Sequence, residues 1–279
     1  MPIKEKEAVV VKCEEGRTFL RSIGIEEEMI STPSHSNDSV LCTRKCESVD
    51  IVIQIGIWRN EMNKLFKDIR HSDIEAVRAS ISKNAAVVNE VYNAKAPKKD
   101  IGQSPLQVAI KCGEFEIIEL LLEKGADADF MEDPALVPPH SACMSVLHDA
   151  IIGVFSALCY KQYSDSEKYI NLIKRLLENG ANPNRKTSSG VLPIGKAVHE
   201  AEMIFERKGA YPDIQEIAKE RLFETLDLLI KYGADKEEWL NQDFWGVSNK
   251  VYYFEEKMYG RDNTDIREPI RIVLKEYFD

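Results

Sequence analysis

One signal recurs three times in this chain and limits what it can fold into. Leu121-Leu122-Glu123-Lys124-Gly125-Ala126-Asp127, Leu176-Leu177-Glu178-Asn179-Gly180-Ala181-Asn182 and Leu229-Ile230-Lys231-Tyr232-Gly233-Ala234-Asp235 each end an apolar helical run with a glycine turn. Each follows a helix-opening segment: Gly102-Gln103-Ser104-Pro105-Leu106-Gln107-Val108-Ala109, Ser145-Val146-Leu147-His148-Asp149-Ala150 and Gly190-Val191-Leu192-Pro193-Ile194-Gly195-Lys196-Ala197. Gly102 and Gly125 lie 23 positions apart and Gly180 and Gly190 lie 10 apart, which together give a period of 33. A helix pair of that size cannot bury its apolar face alone, so copies must stack into a solenoid.

These segments resemble the ankyrin repeat. The resemblance implies a mainly α solenoid of helix-turn-helix units over about 61–279, with repeats near 61–93, 94–135, 136–186 and 187–241 and a capping repeat at 242–279. It also assigns structural duties to Ser104, Pro105, Ser145, His148 and Pro193, where a hydroxyl and an imidazole tie neighbouring turns and proline opens a helix at a place where its missing N–H is harmless. Leu192 and Gly195 depart from that pattern, so the fourth repeat must hold its turn by packing. Asn184 resembles the asparagine that is hydroxylated in some ankyrin proteins.

The first repeat is degenerate, with Leu65, Ile69, Ile74, Val77 and Ile81 at helical spacing and a close at Asn84–Asn89. Repeats three and four depart in length. Leu147, Ala150, Ile151, Val154, Phe155 and Leu158 keep a helical rhythm towards Tyr160, and Ile194, Val198, Ala201, Ile204 and Phe205 are answered by Ile214, Ile217, Leu222, Leu226 and Leu229. The inserts therefore read as lengthened helices. Residues 1–60 do not fit the period. Ala8–Val11 and Val49–Trp58 are rich in β-branched residues, and Ser31–Ser39 reads as a loop, so this part is expected to be a small β-containing arm or cap.

Composition narrows the function classes. The 279 residues are 44% hydrophobic and 30% charged, which suits a folded soluble chain, and the start, Met1 to Glu7, lacks the apolar run of a signal peptide. The expectation is a cytoplasmic protein. Six scattered cysteines do not make a disulfide framework. A net charge of −10 opposes binding to nucleic acid or an anionic membrane and permits a basic protein partner.

No motif supplies chemistry. Cys42 and Cys46, with Cys13 and His35, include metal-ligand types, but the C-x3-C spacing is loose and no second close pair follows. His199-Glu200-Ala201-Glu202 lacks the second histidine of a zinc protease helix. No metal, cofactor or small-molecule ligand is expected, and the chain reads as a non-enzyme. Ankyrin proteins bind partners with finger tips beside the turn glycine and with the exposed end of the first helix. Carried onto this sequence, that gives Arg59, Met62, Arg70 and His71 in the first repeat and Asp100, Ile101, Gln103 and Lys111 in the second. The third gives Met144 and Ile152, and the fourth gives Ser188, Val191, His199 and Glu200. Trp239, Phe244, Trp245, Tyr252, Tyr253 and Phe254 are expected to form the core of the C-terminal cap. The expected function is binding of a protein partner through a concave groove. Two rivals stay open: an effector or enzyme active in the N-terminal segment or the insertions, which perturbed titratable groups in a pocket would favour, and an inhibitor of a basic target.

Overall fold

The computed structural model describes residues 64–93, 100–137, 141–206, 213–244, 246–255 and 267–278, with the backbone of 9–10 and 30–31. The chain divides into two compact units, Met1–Glu61 and Met62–Asp279. In the first, β1 (Val9–Val10) pairs in parallel with β2 (Ile30–Ser31), Val9 opposite Ile30. Val49–Trp58, Arg59, Met62, Cys13, His35, Cys42 and Cys46 lie outside the described residues.

The second unit is a stack of helix pairs. It begins with α1 (residues 64–70) and α2 (Ile74–Lys83), followed by a 3-10 turn at Ala85–Asn89. Next come α3 (Pro105–Cys112) with α4 (Phe115–Glu123), and α5 (Val146–Cys159) with α6 (Tyr163–Glu178). Then α7 (Pro193–Glu206) pairs with α8 (Gln215–Lys231). The C-terminal end holds α9 (Lys236–Asn241), the short hairpin β3 (Asp243–Phe244) and β4 (Val247–Ser248), a π-helical turn at Val251–Glu255, and α10 (Glu268–Phe278).

Local chemistry sets these boundaries. Ser104 Oγ accepts from Gln107 N, Pro105 takes the first helical position, and Gly113 closes α3 in the left-handed region at φ 73°. The stop glycines Gly125, Gly180 and Gly233 share that left-handed backbone, which explains why the signal requires glycine. Between pairs the chain forms extended finger arms: Met131 bridges Ser145, and Thr187 N donates to Val191 O.

Stacking buries one continuous apolar layer from Leu65 and Phe66 through Leu106, Leu121, Leu147, Ile173, Leu176, Ile194, Leu222 and Leu229 to Ile270 and Leu274. Each such side chain contributes about 1.5–3 kcal/mol on burial. The lengthened α5 and α6, and α7 and α8, extend that layer, since Val154, Phe155, Leu158, Ile204, Phe205, Ile214 and Ala218 are buried. The cap closes the layer with aromatic residues. Trp239 is buried, stacks on Phe278 at 5.6 Å between centroids, and lies 5.9 Å from Tyr253. The side chains of Phe244 and Trp245 are outside the described residues.

Candidate functional site on the first helices

Successive repeats are joined by polar links on the side that carries the finger arms and first helices. Arg70 grips Asp100 through two guanidinium N–H groups, and Asp100 is fully buried. Gln107 Nε2 reaches forward to Met144 O at 2.9 Å and Asp149 at 2.8 Å. His148, at the matching place in the next repeat, donates from Nε2 to Val191 O at 3.1 Å. A carbonyl only accepts, so the proton sits on Nε2 and Nδ1 accepts from the Ser145 hydroxyl at 2.8 Å. Burial, opposed by the Val191 hydrogen bond, pushes His148 down to about 4, so it is a neutral tie. In the fourth repeat the same place is Gly195. A Cβ there would lie 3.2 Å from Trp239 Nε1, so the indole occupies the room that histidine and glutamine take elsewhere.

Lys111 sits between two buried carboxylates, 2.8 Å from Glu132 and 3.6 Å from Asp149. Glu132 also accepts from Gln103 Nε2 at 2.9 Å and, through its other oxygen, from Met144 N at 2.9 Å. Burial pushes Asp149 up to about 6, with Lys111 and Gln107 opposing.

This arrangement sorts the residues expected at an interface. Asp100 and Gln103 are buried, and their side chains bond within the stack. Arg70 is half-buried on Asp100. His71, Ser188 and His199 are exposed, while Ile101, Met144, Ile152, Val191 and Glu200 are half-buried. Glu200 is bound by Lys196 at 2.8 Å. Two clefts open along this side. One, of about 460 Å³, is lined by Lys111, Cys112, Met144, Ile152, Gly153 and Tyr169 among others. The other, of about 440 Å³, runs between α7 and the cap, past Val191, His199, Glu202, Met203, Glu206 and Tyr252.

The second cleft holds a cluster that motif reading missed. Tyr253 donates its hydroxyl to Glu202 Oε2 at 2.9 Å, and His199 Nδ1 lies 3.7 Å from the same oxygen. The contact with Glu202 holds His199 above its ordinary value, against burial. Burial, followed by the charge of Glu202, pushes Glu206 up to about 7. The available signal was Glu202 itself, a carboxylate four residues after Val198 on the buried stripe of α7.

The ankyrin repeat family model matches residues 102–130, which span the second finger, α3 and α4. The chain carries ankyrin repeats. Among curated proteins, the E3 ubiquitin-protein ligase KEG of Arabidopsis thaliana is 30% identical over 203 residues. That match covers 65% of this chain and only 12% of the ligase, so the ligase activity in its name is said of that protein. Among the described residues, no helix is long and apolar enough to cross a membrane.

Proposed function

We propose that this chain is a non-catalytic, cytoplasmic ankyrin module that binds a protein partner with its first helices and finger arms. The observation that carries the reading is the pair of clefts on that side. Half-buried Met144, Ile152 and Val191 line them, with charged Lys111 and exposed His199 beside them. An apolar centre with a polar rim suits a protein interface. The ties through Gln107, His148 and Arg70 hold the surface in shape before binding, so little conformational freedom is lost when a partner docks.

Affinity capture with the full chain from its source cells tests this. Met144→Glu with Ile152→Glu should abolish recovery of a stoichiometric partner that the wild type retains. Lys174→Glu with Lys231→Glu, exposed positions on the second helices, should retain it. Equal recovery by all three proteins would refute the surface assignment.

One observation favours the rival enzyme reading: the raised carboxyl group of Glu206 sits beside Glu202 in the cleft between the lengthened α7 and the cap. Three of its hydroxyls are otherwise engaged, since Ser189 bonds Thr187 and Tyr253 bonds Glu202. That favours binding over nucleophilic chemistry.

A further inference from the structure

Met144 lines both clefts, and its backbone groups are held by residues far away in sequence. Its N–H donates to Glu132 Oε2 at 2.9 Å, and its carbonyl accepts from Gln107 Nε2 at 2.9 Å and from Glu132 N at 3.2 Å. The same Gln107 amide donates to Asp149 Oδ2 at 2.8 Å, and Gln103 Nε2 donates to Glu132 Oε1 at 2.9 Å. Both amides turn their N–H groups to the acids, although Gln103 Oε1 and Gln107 Oε1 are then buried without a donor. Lys111 Nζ stands between the acids, 2.8 Å from Glu132 and 3.6 Å from Asp149. Glu132 and Asp149 are each 5% exposed, whereas 30% of the Lys111 side chain is exposed at the cleft. One ammonium therefore offsets two buried negative charges, and a buried charge without its partner is costly.

We infer that Gln107, Lys111, Glu132 and Asp149 form a proton-linked latch that fixes Met144 at the rim of the clefts, and that the Lys111 ammonium keeps this latch shut at neutral pH. The inference rests on the protein-binding reading for its consequence: an open latch releases Met144 from the position in which a partner would meet it. It adds to that reading what controls the surface.

The titratable and charged groups around Asp149 are Lys111 and Cys112 on α3, Glu132 on the finger arm, Asp165 and Tyr169 on α6, and Tyr160 just after α5. His148, its neighbour on α5, is turned to Val191 O. Burial lifts the Asp149 carboxyl to about 6 from its ordinary 3.8, against the opposing charge of Lys111. An open latch admits water and returns the carboxyl to its ordinary range. The closed state then binds more protons between those two values, so closure weakens as pH rises through that window. From pH 5 to pH 7 the opening constant should rise about tenfold. Without the ammonium, Asp149 would keep its proton to higher pH, so the loss of Lys111 should be felt at pH 7 far more than at pH 5.

The test is amide hydrogen exchange of the full chain by NMR, corrected for intrinsic rates and read at the Glu132 and Met144 amides, with Gln215–Lys231 as internal reference. Lys111→Met should raise opening at these two amides at least tenfold at pH 7 and several-fold less at pH 5, while the reference helix exchanges as before. Lys111→Arg should stay near the wild type, and adding Asp149→Asn to Lys111→Met should remove most of the excess at pH 7. In the wild type the tenfold change between pH 5 and pH 7 should vanish with Asp149→Asn alone, a comparison that survives if Lys111→Met does not fold. An excess that is equal at both pH values, that persists with Asp149→Asn, or that spreads equally to the reference helix would overturn the inference. So would a wild type without the pH dependence. Loss of partner capture in Met144→Glu with Ile152→Glu would stand in each of those cases, which separates failure here from failure of the binding reading.

Discussion

Gly153 lies in the interior of α5, where glycine ordinarily costs about 1 kcal/mol relative to alanine. Alanine would normally stabilise such a site. Here a Cβ would fall 2.4, 2.5 and 2.6 Å from Cε1, Cδ1 and Cζ of Tyr169. That ring belongs to α6, is 8% exposed, packs edge-on against Phe115 at 4.9 Å between centroids, and donates its hydroxyl to Ile110 O at 2.8 Å. It therefore cannot swing aside without losing a buried contact and a hydrogen bond. Overpacking of this kind costs about 1–3 kcal/mol and the lost hydrogen bond about 1 kcal/mol. After the propensity gain is subtracted, Gly153→Ala should destabilise the chain by about 1–3 kcal/mol. In a Tyr169→Ala background the obstacle is gone, and the same substitution should become neutral or stabilise by up to about 1 kcal/mol. Urea denaturation of the four proteins of this cycle measures the coupling. A Gly153→Ala protein as stable as the wild type, or a coupling near zero, would refute the reasoning that helix α5 carries glycine to admit the Tyr169 ring.

Three further perturbations address the ties between repeats. The folded imidazole of His148 titrates near 4, below its usual 6.5. The unfolded chain therefore takes the proton first, and stability present above pH 6.5 should fall by about 3 kcal/mol towards pH 4. Asp149, raised to about 6, acts in the opposite sense, so the difference between wild type and His148→Gln across that window isolates the histidine; a flat difference would contradict the neutral tie. Arg70→Met leaves the Asp100 carboxylate buried without its partner and should cost about 3–5 kcal/mol, with Arg70→Lys losing less; thermal unfolding measures both, and equal losses would deny the two-pronged grip its importance. Asn184 donates to Gly233 O and accepts from Asp235 N, both at 2.8 Å. Asn184→Ala should cost about 1–2 kcal/mol and speed hydrogen exchange at the Asp235 amide, and unchanged exchange would show that the clamp is not formed in solution.

The stack was legible because its signals are local. Gly125, Gly180 and Gly233 demand positive φ, Pro105 marks a helix start, and the apolar rhythm of α5 and α7 continues through the inserted residues. The links between repeats were less legible, since their partners lie far apart in sequence. Gln107 meets Asp149 42 residues away, and Arg70 meets Asp100 30 residues away. For that reason Asp100 and Gln103, which occupy finger-tip positions, could not be recognised from spacing as internal residues. The Glu202 cluster depends on the cap folding back so that Tyr253 reaches across 51 residues. Its single local trace was an acid on the apolar stripe of α7, beside the His199-Glu200-Ala201-Glu202 string that carries no metal motif.

Hydrogen exchange of the full chain, with and without the partner recovered by capture, tests the central claim most directly. The account predicts that protection concentrates in peptides covering 141–153 and 188–203, while the second helices, Tyr163–Glu178 and Gln215–Lys231, exchange as before. Protection confined to those second helices, or to residues 1–61, would contradict it.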